Sequence, residues 1–468
     1  MALSREVLRR LEILLGPERV MTQDVDRLVY AFDSSFEASL NRYEPDVVLR
    51  PQNTAEISAI LKLAWEYEIP VTPRGAGTGQ NGGAVAVRGG ILLDLSGMKR
   101  ILAYDLENLQ VLIEPGLVHA ELNQALKPQG FFFPPDPGSS KMCTLGGMVS
   151  FNSSGMRAVK YGTTREYVLG LEVVLPDGQV ITTGGLRSRA LKSASGYELT
   201  RLFVGSEGTL GVITKIRLKV LPLPEKRGLV LAAFPRVEDA GRAVIAVFRQ
   251  HLTPSAIEIL DDSAMQAAMA YKPGLTLPTG EALLLFEVDG SPADVAYQAQ
   301  RIAETCRGLA SHVDWSDDPQ RVADLWEARS LVGAAASRVK PGTTRVYDGE
   351  DICVPIARVP EALKRIRQIG RENDVVIVTY GHIGDGNLHS APVVDTRKPE
   401  EVEKAKRVVD AIHRLALELE GTTTGEHGVG LSRARYMEEE HGPALEVMRV
   451  IKRALDPKGI MNPGKMAL

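Results

Sequence analysis

Apolar positions recur at three- and four-residue steps at the start of the chain. Leu3, Val7, Leu8, Leu11, Leu14 and Leu15 share one face, which predicts an amphipathic helix within Met1–Val20. The stretch lacks the unbroken apolar centre of a signal peptide. Residues 46–222 read as strand-rich. Asn53 and Glu56 resemble a capping box, and the helix they open carries Ile57, Ile60, Leu61, Ala64 and Trp65 at helical spacing. Short strands are predicted at Ile69–Thr72, Gly90–Leu95, Leu109–Glu114, Val168–Leu175, Gly178–Thr182 and Gly211–Leu218. A helix is predicted over Val118–Gln129, and Pro176-Asp-Gly178 reads as a turn.

The proline-spaced run Leu221–Glu225 reads as a linker. Beyond it the pattern alternates strand and helix. Strands are expected at Leu229–Phe234, Ala256–Leu260, Leu283–Val288 and Ser311–Trp315, and helices at Val237–Gln250 and Pro292–Arg307. Further helices are expected near 318–337, 359–373 and 399–419. Strand–helix–strand units repeated this way suit a ferredoxin-like α+β layer. The last fifty residues turn glycine-rich, then helical, and end near Asn462-Pro-Gly-Lys465.

One segment resists a simple structural reading: Pro73-Arg-Gly-Ala-Gly-Thr-Gly-Gln-Asn-Gly-Gly83. Gly77, Gly79 and Gly82 match GxGxxG, but that motif must open a helix to hold a pyrophosphate. Here the chain runs into the strand-like ILLDLS, and no acidic residue ends a strand at the required distance. A Rossmann fold is excluded. Taken alone, the loop fits either a nest of backbone N–H groups around a diphosphate or a flexible surface loop.

Composition narrows the classes. The chain has 468 residues, enough for several folding units, and a formal net charge of −4 with no basic stripe, which argues against a nucleic-acid partner. No apolar run reaches membrane-spanning length. Cys143, Cys306 and Cys353 are widely separated. That fits a reducing cytoplasm and gives no disulfide framework, thiolate metal site or iron–sulfur motif.

The glycine loop is followed by Pro134-Pro-Asp-Pro137, Thr144-Leu-Gly-Gly-Met-Val-Ser-Phe-Asn-Ser-Ser-Gly155, Lys160-Tyr-Gly162 and Val204-Gly-Ser-Glu-Gly-Thr-Leu-Gly-Val-Ile-Thr214. This series resembles the vanillyl-alcohol-oxidase-type flavoproteins. Tyr380-Gly-His-Ile-Gly-Asp-Gly-Asn-Leu-His389, Gly425-Glu-His-Gly428 and Asn462-Pro-Gly-Lys465 resemble the branch of D-lactate dehydrogenases, D-2-hydroxyglutarate dehydrogenases and the glycolate oxidase flavoprotein subunit. The resemblance implies an α+β fold in three parts. Residues 1–222 would form a two-subdomain, PCMH-type FAD-binding domain with its core at 46–222. Residues 223–420 would form a ferredoxin-like cap, and 421–468 a helical segment returning to the FAD domain. It implies FAD contacts from Arg74, Gly75, Ala76, Gly77, Thr78, Gly79 and Gln80. Others would come from Pro135, Asp136, Ser139, Gly146, Gly147, Asn152, Ser154, Gly155, Glu207, Gly208, Gly211, Ile213 and Asn462. Covalent members carry a histidine where Gly77 and Thr78 stand here, so non-covalent FAD is expected.

Three of the eight histidines fall in two glycine-framed loops: His382 and His389, then His427 beside Glu426. Imidazole, imidazole and carboxylate suit a borderline divalent ion such as zinc or manganese. A metal-free hydrogen-bonded cluster is the alternative. His119, His251, His312, His413 and His441 are read as structural. The resemblance assigns His382, His389 and Glu426 to the metal, His427 to the base, and Arg329 to the substrate carboxylate. The competing reading of Arg329 is a solvated helix residue.

The expected reaction is oxidation of a small 2-hydroxy acid, glycolate or D-lactate, by hydride transfer to flavin. The small residues Ser330–Ala336 suggest a compact substrate. Electrons would leave to a partner subunit, a carrier or a quinone, with the chain cytoplasmic or peripheral at the inner membrane face, as a homo-oligomer or a subunit of a complex. D-2-Hydroxyglutarate oxidation and a non-redox alkyl-glycerone-phosphate synthase are the alternatives.

Overall fold

A computed structural model describes residues 3–346 and 351–468; Met1 and Ala2 of the predicted first helix lie outside them. The described residues form two compact units. The first comprises residues 3–154, Thr163–Leu223 and Glu426–Leu468. The second comprises Gly155–Gly162 and Pro224–Gly425. The chain passes from the first to the second inside the LPLPE run.

Besides a two-stranded ribbon that pairs Phe131–Phe132 with Leu221–Pro222, the first unit holds two larger sheets. In the smaller, strands Val47–Leu49, Ile91–Asp94 and Val71–Arg74 run parallel, with Val20–Met21 antiparallel at the edge. Parallel strands buried on both faces read as apolar runs rather than alternations. Val47, Leu49, Ile91 and Leu93 all lie in one core with Ile57, Ile60, Leu61 and Ala64 of the helix Thr54–Tyr67. Asn53 caps that helix by accepting the Glu56 N–H at 3.0 Å. Glu56 returns a bond to the Gln52 N–H instead of closing the box on Asn53. Val7, Leu11 and Leu15 of the first helix, Arg5–Leu15, seal the same core.

The larger sheet is antiparallel, in the order Ile101–Asp105, Gln110–Ile113, Val212–Lys219, Val168–Val174, Val180–Thr182. The C-terminal segment joins the smaller sheet at Val71. The Val71 N–H donates to Ile460 O and the Asn462 N–H donates to Val71 O, both at 2.8 Å. This pairing sets Asn462 beside the start of the strand that leads into the glycine loop.

The second unit is built on an antiparallel sheet. Its first part runs His312–Ser316, Lys226–Phe234, Ala282–Gly290, Ala256–Asp261, which is strand order 4-1-3-2 of a ferredoxin-like layer. A hairpin, Val376–Gly381 and Asn387–Val394, continues the sheet beyond Ala256–Asp261. The helices Val237–Arg249, Pro292–Cys306, Pro319–Ala335, Val359–Asn373 and Pro399–Glu418 follow the predicted pattern. The helix Asp262–Tyr271 and the hairpin were not foreseen. The molecule is thus α+β. Among the described residues, no helix is long and apolar enough to cross a membrane.

Candidate active site

In the first unit the strand Val71–Arg74 ends at a buried arginine, and the glycine loop begins. From Gly75 through Gly82 no backbone N–H donates to another atom of the chain among the described residues. Unpaired backbone donors at such density are costly unless water or a ligand accepts from them. A Cβ on Gly75 would fall 2.1 Å from Thr144 Oγ1, so the loop lies directly against the start of the helix Leu145–Phe151. Arg74 Nη1 donates to Ala84 O at 3.1 Å and braces the loop from within.

The far side of the loop is closed by a polar cluster. Glu207, at φ 51, accepts the Val429 N–H at 2.6 Å and the Gly430 N–H at 2.8 Å. Asn462 Nδ2 donates to Gly83 O at 3.0 Å and Glu207 O at 2.7 Å. Lys465 Nζ donates to Val85 O at 2.9 Å. Burial pushes the Glu207 carboxyl up to about 7, against the pull of its two backbone donors. Burial brings the Lys465 ammonium down to about 7. Gln80 Oε1 and Asn462 Oδ1 are buried and accept no hydrogen bond among the described residues. The free-donor loop fits an anion such as the FAD diphosphate, and the buried acceptors beside it fit a ligand's N–H or hydroxyl donors instead.

The other sequence-predicted contacts divide. Gly146 and Gly147 open the helix that Thr144 caps, with Thr144 Oγ1 accepting the Gly147 N–H at 3.3 Å. Asn152 ends that helix at φ 54, and its Oδ1 accepts from the Arg165 N–H and from Thr163 Oγ1. Its side chain thus serves its own turn. Ser139 O accepts the Met142 and Cys143 N–H groups on the stretch that also carries Pro135 and Asp136. Gly208 and Gly211 lie between Glu207 and the strand Val212–Lys219, which holds Ile213. Ser154 Oγ donates to Glu426 Oε2 at 2.9 Å, and His427 Nε2 lies 3.8 Å from Glu426 Oε1. Gly155 belongs to the short segment that packs with the second unit.

In the second unit the histidine motif forms the hairpin itself, with Tyr380 and His389 register partners. His382 follows the first strand, and its ring meets that of His389 edge-on at 5.0 Å. Gly386 turns the chain at φ +87, where a Cβ would fall 2.0 Å from Val354 O. Glu258, wholly buried on the neighbouring strand Ala256–Asp261, bonds both remaining site residues. Its Oε1 lies 2.6 Å from His382 Nδ1, and its Oε2 accepts from Arg329 Nε at 2.6 Å. Arg329 is 8% exposed, which removes the solvated-helix reading. Its guanidinium stacks 4.9 Å from the Tyr380 ring centroid, and Arg345 donates to the Tyr380 hydroxyl. Asp351 offers a carboxylate oxygen within 4.8 Å of a His389 ring nitrogen. Val332 and Ala336, in the small-residue stretch after Arg329, pack into the core of this unit. Their size reflects core packing and gives no measure of substrate size.

Residues 45–184 match the family described as FAD binding domain. Residues 223–466 match the family described as FAD linked oxidases, C-terminal domain. This chain belongs to the FAD-linked oxidases. It is 38% identical to "Glycolate oxidase subunit GlcD" of Bacillus subtilis over 99% of this chain and 97% of the relative. It is also 38% identical to "Probable D-lactate dehydrogenase, mitochondrial" of Danio rerio over 90% of this chain and 84% of the relative. The solved structure of an alkyldihydroxyacetonephosphate synthase superposes with a TM-score of 0.78 at 20% identity, covering 98% of this chain and 85% of the other. That likeness shows the fold alone.

Sequence reasoning missed Glu258 and Asp351, and it quoted Tyr380 and Lys465 only within motifs of this FAD-linked oxidase, with no role given to either. Glu258 left a usable signal, a carboxylate in mid-strand flanked by Ile257 and Ile259. His119 is structural, as read: it bonds Ser140 and Asn123, and burial brings it down to about 4. Replacing Glu207 with alanine should strand the Val429 and Gly430 N–H groups. At about 1–3 kcal/mol per unsatisfied buried group, urea unfolding should show a loss of roughly 2–6 kcal/mol.

Proposed function

We propose that this FAD-linked oxidase oxidises a small 2-hydroxy acid, glycolate or D-lactate, to the 2-oxo acid. The observation that carries the reading is the buried Glu258-linked pair of Arg329 and His382. A 2-hydroxy acid presents a carboxylate and a hydroxyl one carbon apart, and a guanidinium with an imidazole is a matching pair of recognition groups. The names of the two relatives, glycolate oxidase subunit and D-lactate dehydrogenase, point the same way.

FAD, held non-covalently by the Arg74–Gln80 loop and Asn462, supplies the hydride acceptor when bound. His382, His389 and Glu426 have the donor types for a zinc or manganese ion, which when bound draws charge from the substrate hydroxyl. Arg329 holds the substrate carboxylate with the Nη groups that Glu258 leaves available. His427 takes the hydroxyl proton on a ring nitrogen, the commonest side-chain base for such a transfer. A bound flavin would pass its electrons on to a partner subunit, a carrier or a quinone.

FAD-loaded protein should turn over glycolate or D-lactate with a dye acceptor, and chelation should abolish the rate until zinc or manganese is restored. Full turnover after metal removal would delete the ion from this scheme. No turnover of any 2-hydroxy acid would overturn the reaction.

A further inference from the structure

We infer that Glu258 is a positioning residue that sets the His382 tautomer and the Arg329 binding edge together. The inference rests on the roles just given to His382 and Arg329, but the geometry comes from Glu258. This carboxylate is fully buried in the middle of the strand Ala256–Asp261. Its two oxygens are divided between two partners, each at 2.6 Å: Oε1 to His382 Nδ1 and Oε2 to Arg329 Nε.

Each bond has a chemical consequence. An ionised carboxylate only accepts, so the nitrogen facing it must carry the proton. In neutral His382 the proton therefore sits on Nδ1, and Nε2 keeps its lone pair. Carboxylate-bonded imidazoles in metal sites are oriented and made more basic in this way. On the other side, an arginine can grip a carboxylate through its Nε edge or its Nη edge. Glu258 occupies the Nε edge, so the two Nη groups form the remaining fork. Tyr380, stacked on the guanidinium, keeps the fork from rotating. One buried side chain thus couples a metal or hydroxyl ligand to the carboxylate grip. That coupling explains why a carboxylate is retained between the apolar residues Ile257 and Ile259.

Glu258→Gln tests this at nearly constant shape. The amide has one acceptor and one donor end. If its oxygen stays with Arg329 Nε, its NH₂ faces His382 and demands the opposite tautomer. Nitrogen-15 NMR of histidine-labelled protein without metal or substrate, with His382 assigned through a His382→Asn variant, should show an Nδ1–H imidazole in the parent. Glu258→Gln should show Nε2–H. Zinc affinity, measured by titration of the metal-free protein, should fall about 10- to 100-fold, and KM for the hydroxy acid should rise. An Nε2–H imidazole in the parent protein overturns the inference, and that measurement stands even if the variant does not fold. A folded variant with unchanged tautomer and zinc affinity also overturns it. A tautomer switch in a protein that neither binds zinc nor oxidises hydroxy acids would leave Glu258 as assigned and remove the functional reading instead.

Discussion

His427→Ala should lower kcat by about 10²- to 10⁴-fold, the usual worth of a positioned general base, while FAD content stays at the parent level. The separation follows from how the segment is anchored. Glu207 holds the Val429 and Gly430 N–H groups, and Ser154 donates to Glu426. None of these bonds uses the His427 side chain, so they should persist when it is removed. Stopped-flow reduction of the flavin by substrate, compared with the flavin absorbance of the purified variant, measures the two effects independently. A variant that reduces its flavin at the parent rate would take the base role away from His427. A variant that loses both rate and flavin would make His427 a structural residue.

Gly75→Val should yield protein largely without flavin. The first side-chain carbon would arrive 2.1 Å from Thr144 Oγ1, the group that caps the helix Leu145–Phe151 through the Gly147 N–H. Either the cap or the loop must give way. Losing two N–H bonds to a charged diphosphate, at about 1.5–3 kcal/mol each, would weaken FAD binding by roughly 10²- to 10⁴-fold. The second unit does not depend on this loop for its own core, so far-UV circular dichroism should change little. Retention of stoichiometric FAD by a folded variant would show that the free N–H groups are not the cofactor cradle.

The parts of the fold legible in the sequence were those with a clear period. The helix Thr54–Tyr67 announced itself by its cap and its apolar spacing, and the strand–helix alternation after residue 225 gave the ferredoxin-like layer. The glycine loop was separated from a Rossmann turn because a strand follows it. The structure agrees, since Ile91–Asp94 pairs in parallel with Val71–Arg74 and no helix lies between them.

The hairpin Val376–Gly381 and Asn387–Val394 was missed for a physical reason. Every residue of its second strand is buried, so no polar–apolar alternation marks it, and its histidines and glycines imitate a loop. The family motifs identified candidate residues but not their neighbours. Glu258 lies more than a hundred positions before His382, and only the pairing of Ala256–Asp261 with Val376–Gly381 brings the two together. Likewise, Ser330–Ala336 looked like a wall for a small substrate until Val332 and Ala336 proved to be core.

An anaerobic absorbance titration of the FAD-loaded protein reads the central proposal with the fewest intermediaries. Adding D-lactate or glycolate without any electron acceptor should bleach the oxidised flavin band, with the matching 2-oxo acid formed in equal amount. A flavin that remains fully oxidised in saturating glycolate, D-lactate and longer 2-hydroxy acids would contradict it.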